Sequence, residues 1–148
     1  MYKGIIFFKR FKADPVTHLV SILALIVGIL FIIMQGCKLL RPETAMNNLP
    51  DLPIGKFDLG FALADIIIPG PLLVTGALCL LYGKYLIGHL LIFAGWAINF
   101  YGMVVFFAGC QALGRPLAGG VLFEVIITAF LSLFCMTWSI LKTLSRRI

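Results

Sequence analysis

The sequence predicts an all-α integral membrane protein, an up-down four-helix bundle with both termini cytoplasmic, preceded by a short interfacial N-terminal segment. Three observations predict it. The 148 residues are 61% apolar and 12% charged, against roughly half and about a quarter in soluble domains. Four apolar runs, at about 17–37, 59–82, 85–110 and 117–141, each approach the roughly 20 residues that a bilayer core requires. The basic residues lie almost entirely outside these runs, and they alternate in density from one side to the other.

That alternation orients the chain. Lys3, Lys9, Arg10, Lys12, Lys84, Lys142, Arg146 and Arg147 fall on one side of the predicted spans. Lys38, Arg41, Lys56 and Arg115 fall on the other, mixed with Glu43, Asp51 and Asp58. Loops rich in Lys and Arg stay in the cytoplasm, so the first group is inside. The net charge of +6 is therefore a topology signal, and no nucleic-acid partner is expected. A single membrane domain, residues 1–148, uses the whole chain. The expected location is the plasma (inner) membrane of a prokaryote, with the chain crossing several times.

The elements follow in order. Tyr2–Phe11 mixes Ile5, Ile6, Phe7 and Phe8 with Lys and Arg, which suits a segment lying on an anionic leaflet. Asp14-Pro15 breaks the chain, with Asp14 as a candidate N-cap. The first run is longer than a signal-peptide core and lacks a small-x-small cleavage site, so it is read as a retained helix. The outer loop, 38–58, holds Pro42, Pro50 and Pro53 and is expected to be irregular. Gly83-Lys84 allows only a tight turn between the second and third spans, and Gln111–Pro116 is also short. Sequential antiparallel packing follows.

The third span carries Gly88, Gly95, Gly102 and Gly109 at intervals of seven. On a helix these form one stripe along which another backbone can approach closely. The first span has a shorter stripe of Ser21, Ala24 and Gly28. Packing within one bundle is the plain reading, and a homodimer seam is the alternative.

Two carboxylates lie inside apolar runs. Asp65 is about six residues from the outer end of the second span, and Glu124 about seven from that of the fourth. At 1.5 Å per residue both sit roughly 10 Å below the outer surface, with Asn99 a little deeper. Carboxylates at such depth have partners or functions. Beside Asp65, Pro69 and Pro71 lack the N–H groups that would bond the carbonyls of Asp65 and Ile67. Broken helices of this kind occur where backbone lines a polar site. The candidate ligand or ion pocket is thus Asp65, Glu124, Asn99, Pro69 and Pro71, with Lys38, Arg41, Lys56 and Arg115 as its basic rim. The alternative is structural: a rim cation pairs with the acids and holds the bundle together.

Other chemistry finds less support. Cys37 and Cys110 lie near outer span ends and are candidates for a disulfide. No C-x-x-C is present, as a thiol–quinone enzyme would be expected to carry. His18 and His89, both near cytoplasmic span ends, are candidates for haem ligation. No phosphate loop, zinc motif or nucleophile elbow occurs. No catalytic residue, metal site or cofactor is assigned.

At the end of the first span, Gly36-Cys37-Lys38-Leu39-Leu40 resembles the Gly-x-Lys-Leu ending of the first helix in DoxX-like membrane proteins. Asp65 and the run Pro71-Leu72-Leu73-Val74-Thr75-Gly76-Ala77-Leu78-Cys79-Leu80-Leu81 are similar to that family's second helix, which often opens on an acid, more often Glu. The resemblance covers Ile22 to Gly88. It implies a small four-helix protein, and roles such as accessory subunits of redox systems or membrane cargo factors. The expected function is a non-enzymatic membrane protein, either an accessory subunit or a binder of a small ligand or lipid in an outward-facing pocket. The alternatives are a small transporter or channel using Asp65 and Glu124 for a proton or cation, and a redox-linked enzyme or haem-binding subunit. The expected partners are the lipid bilayer, and a membrane protein or a second copy.

Overall fold

The computed structural model of the chain describes residues 15–43, 52–114 and 119–145. Asp14, Asp51, Arg115, Arg146, Arg147 and the interfacial segment before Asp14 lie outside the described residues.

Five helices account for most of what is described: α1, Pro15–Leu40; α2, Leu52–Ile67; α3, Pro69–Leu81; α4, Tyr85–Ala112; and α5, Gly119–Leu144. Among the described residues there is no strand. Because α2 and α3 together form one apolar stretch, Asp58–Leu81, the described residues hold four helical segments long and apolar enough to cross a membrane. The fold is a four-helix bundle. Irregular chain was expected as far as Asp58, but α2 already begins at Leu52. Pro53 is no obstacle there, because the first turn of a helix needs no N–H donors.

The second span is broken where its sequence removes hydrogen bonds. The Ile68 amide donates to the Ala64 carbonyl at 2.9 Å, and the Leu72 amide to the Ile68 carbonyl at 3.1 Å. Pro69 and Pro71 can donate nothing to Asp65 and Ile67. Gly70 completes the break. A Cβ at that position would lie 2.8 Å from the Asp65 carbonyl oxygen and 3.0 Å from the Ile32 side chain.

Between α3 and α4 the turn is a Schellman motif. Gly83, at φ +78°, donates to Leu80 at 3.0 Å, and Lys84 donates to Cys79 at 2.8 Å. Only glycine enters this left-handed region without strain. The helix carbonyls are thereby satisfied within three residues, and α4 folds straight back on α3.

Small residues set the spacing of the bundle. Lipid tails are as apolar as leucine, so helices associate through close packing rather than through hydrophobic burial. Gly28 of α1 meets Gly70 and Val74 of α3, where an added Cβ would be 2.9 Å from each. Gly76 of α3 meets Gly88 and Ile92 of α4 just as closely. Gly95 sits over Leu73, 2.9 Å from where its Cβ would be. The glycine stripe of α4 is therefore occupied by α3 of the same chain at Gly88 and Gly95. Around these contacts lies the core: Val20, Ala24, Leu73, Ala77, Leu80, Ile92, Trp96 and Cys135.

Polar contacts pin the end of the bundle that carries the α3–α4 turn. The Ser21 hydroxyl donates to the Ala77 carbonyl at 3.2 Å, and the Trp138 indole N–H donates to Thr17 Oγ1 at 3.1 Å. The second bond ties the start of α1 to the end of α5. Lys142 Nζ stands 4.8 Å from the centre of the Trp138 ring, within cation–π range.

Candidate functional site

At the opposite end the helices enclose a cavity of about 280 Å³. Each of four helices contributes one face to it. Phe31, Gln35 and Lys38 come from α1, and Asp58, Phe61 and Asp65 from α2. From α4 come Asn99, Gly102, Met103 and Phe106, and from α5 Glu124, Val125 and Thr128. The spacings are those of a single helical face, with partners three, four or seven residues apart. α3 contributes no residue. It packs on α1 and α4 below the break, through Gly28, Gly76, Gly88 and Gly95.

The glycine stripe records the same change. At Gly88 and Gly95 an added Cβ would fall within 3.0 Å of a neighbour, but at Gly102 the nearest atoms belong to Phe61 at 3.5 and 3.6 Å. Close packing thus gives way to ordinary contact where Gly102 reaches the cavity. Gly109, further along, is half-buried.

The structure therefore brings Asp65, Asn99 and Glu124 to the wall of one cavity. Their settings differ. Asp65 is half-buried, and its Oδ2 accepts a hydrogen bond from Gln35 Nε2 at 3.1 Å. Asn99 is buried and donates through Nδ2 to Ser132 Oγ at 3.3 Å. Ser132 in turn donates to the Thr128 carbonyl at 2.8 Å. Glu124 is exposed, so the cavity reaches the molecular surface beside it.

The basic rim is only partly assembled. Lys38 lines the cavity, but its partner is Asp58, with Nζ 3.1 Å from Oδ2. Of the rim cations that the structural alternative would pair with Asp65 or Glu124, Lys38 is paired with neither. Asp58 lies nearly two turns before Asp65 on α2 and reaches Lys38 first. Arg41 and Lys56 are exposed and do not line the cavity, and Arg115 lies outside the described residues. Pro69 and Pro71 are not at the wall either. Pro69 is buried at the start of α3, so the prolines act on the site through the backbone break.

The candidate disulfide is not made: Cys37 and Cys110 are free thiols, Cys37 exposed and Cys110 buried. His89 is buried on α4 and His18 is half-buried on α1. Among the described residues no group of three or more His, Cys, Asp or Glu side chains could hold a metal ion.

Sequence reasoning missed Gln35, Asp58 and the aromatic wall. Phe61 and Phe106 pack edge to face, with centroids 5.9 Å apart and planes at 83°. A signal for them was present. Gln35 precedes Lys38 by three residues and Asp58 precedes Asp65 by seven, so each shares a helical face with a residue already singled out. Phenylalanine in an apolar span carries no such signal.

Toward the α3–α4 turn from Asn99, the fully buried Trp96, Ile92, Leu73 and Cys135 pack in one apolar core. No family model, curated protein or solved structure matches the chain.

Proposed function

We propose that this chain is a non-enzymatic membrane protein that binds a small ligand in the cavity at one end of its bundle. The observation that carries this reading is the convergence of four helices on one space with three carboxylates, two amides and three phenylalanines at its wall. Acidic groups are expensive at membrane depth, and here Asp65 and Glu124 stand at a shared volume without an ion pair, while Asp58 holds the rim residue Lys38. The buried apolar core beyond Asn99 supports a blind pocket over a through-path, and so a binding or accessory role over transport.

The proposed topology is up-down, with both termini cytoplasmic and the cavity facing outward. Antiparallel contacts support it: α3 and α4 pack across a three-residue turn, Thr17 at the start of α1 meets Trp138 near the end of α5, and Lys38 near the end of α1 meets Asp58 early in α2. The Lys and Arg asymmetry supplies the direction. The resemblance to DoxX-like proteins agrees with an accessory role, and the plasma membrane of a prokaryote is the proposed location.

Cysteine labelling tests both parts. In a cysteine-free background, Thr128→Cys should react with a membrane-impermeant thiol reagent applied from outside the cell. Lys84→Cys should react only from the cytoplasmic face. A Thr128→Cys thiol that reacts from neither side, or only from the inside, would remove the outward-facing pocket. External labelling of Lys84→Cys would reverse the topology.

A further inference from the structure

We propose that the cavity takes an organic ammonium ion, a protonated amine on a small apolar body, with Asp65 and Glu124 as its charge partners. This rests on the reading of the cavity as a ligand site and names the chemistry of what it holds.

Charge is the first argument. The wall carries Asp58, Asp65 and Glu124 against Lys38 alone. Lys38 is committed to Asp58 at 3.1 Å. Among the described residues neither Asp65 nor Glu124 has an ion pair. Two carboxylates therefore face one space between apolar helices without a cation of their own. An anion would be repelled there, and a neutral guest would leave the half-buried Asp65 without a counter-charge. A cation supplies one.

Aromatic chemistry is the second argument, and it separates an organic cation from a bare metal ion. Phe31, Phe61 and Phe106 are at the same wall. Phenyl faces attract ammonium groups and accept hydrocarbon equally well, but they offer no lone pair to a metal. Calcium and magnesium require six or more oxygen ligands, and the described residues hold no cluster of three metal-binding side chains. A volume of about 280 Å³ suits a molecule of several carbons.

Gln35 supplies the third argument. Its Nε2 is spent on Asp65, and its Oε1 is buried without a hydrogen-bond partner. Gln35 thus leaves an enclosed acceptor without a donor beside Asp65, and the carboxylate is the acceptor at the cavity wall. A primary or secondary ammonium brings N–H groups that can donate to that carboxylate, whereas a quaternary ammonium has none.

The test measures binding to the full chain in lipid nanodiscs, with empty nanodiscs as reference. The probes are 2-phenylethylammonium, 2-phenylethanol, phenylacetate and trimethyl(2-phenylethyl)ammonium, which share one skeleton and differ in the head group. We expect the primary ammonium to bind at least tenfold more tightly than the alcohol, with phenylacetate weakest and the quaternary ion below the primary one. Glu124→Gln, at an exposed position, and Asp65→Asn should each weaken the primary ammonium at least tenfold while leaving the alcohol within twofold. If the alcohol or phenylacetate binds as tightly as the ammonium, or if both variants bind the ammonium as the parent does, the charge assignment is overturned and the cavity remains a ligand site for neutral or acidic molecules. If no probe binds and Thr128→Cys is also unreactive, this inference falls together with the reading on which it rests.

Discussion

Replacing Gly76 by alanine isolates the packing that holds α3 against α4. An added Cβ would stand 2.9 Å from the Ile92 amide nitrogen and 3.0 Å from the Gly88 carbonyl oxygen, where ordinary contact begins at 3.4 Å. Both obstacles are backbone atoms, so neither can rotate away, and the helices must separate by about 0.5 Å, a gap that forfeits a quarter or more of each dispersion contact. Overpacking of this kind costs about 1–3 kcal/mol. Opposing it is the gain of roughly 1 kcal/mol from replacing glycine by alanine within a helix. Gly60→Ala separates the two effects, because nothing lies within 4 Å of its added Cβ. The propensity gain is common to both variants, so their difference reports the steric cost alone, about 1–3 kcal/mol with Gly76→Ala the weaker. The assay is reversible unfolding in mixed micelles as the mole fraction of dodecyl sulfate is raised. Unfolding free energies agreeing within about 0.5 kcal/mol, the scatter of inert surface changes, would show that this contact does not set the helix spacing.

Three further outcomes are expected. Gly95→Leu should lower the thermal midpoint in detergent, because Leu73 already fills the space, and an unchanged midpoint would place the stripe away from α3. Ser132→Ala should cost about 0.6–2 kcal/mol by removing the acceptor of the buried Asn99 amide, measured in the same micelle titration, and Asn99→Leu in that background should recover part of the loss. Lys38→Met and Asp58→Leu should couple by no more than about 1 kcal/mol in a double-mutant cycle, since Lys38 is 36% exposed and solvent screens the pair. A weaker coupling between Lys38 and Asp65 is expected alongside, and one stronger than that to Asp58 would mean that the cation serves Asp65 after all.

The spans, the break and the turn can all be read from the sequence. Each depends on local chemistry: run length against bilayer thickness, prolines without N–H groups at 69 and 71, and a glycine able to take positive φ at 83. The shared height of Asp65, Asn99 and Glu124 along the bundle was legible for the same reason, since rise per residue converts position into height. Tertiary structure alone decided how each helix is rotated about its axis and which neighbour it meets. Lys38 could have reached either Asp58 or Asp65 by its height, and only the packing of α1 on α2 gives it to Asp58 and leaves Gln35 for Asp65. Gly88 and Gly95 showed that something approaches α4 closely, but not that α3 of the same chain does so. Nor did any pattern mark Phe31, Phe61 and Phe106 as facing the cavity among the many phenylalanines in these helices. The physical reason is the solvent. In water an apolar residue announces the core, whereas in a bilayer the lipid is as apolar as the core, so hydropathy sets the length and depth of a helix and says little about the direction it faces.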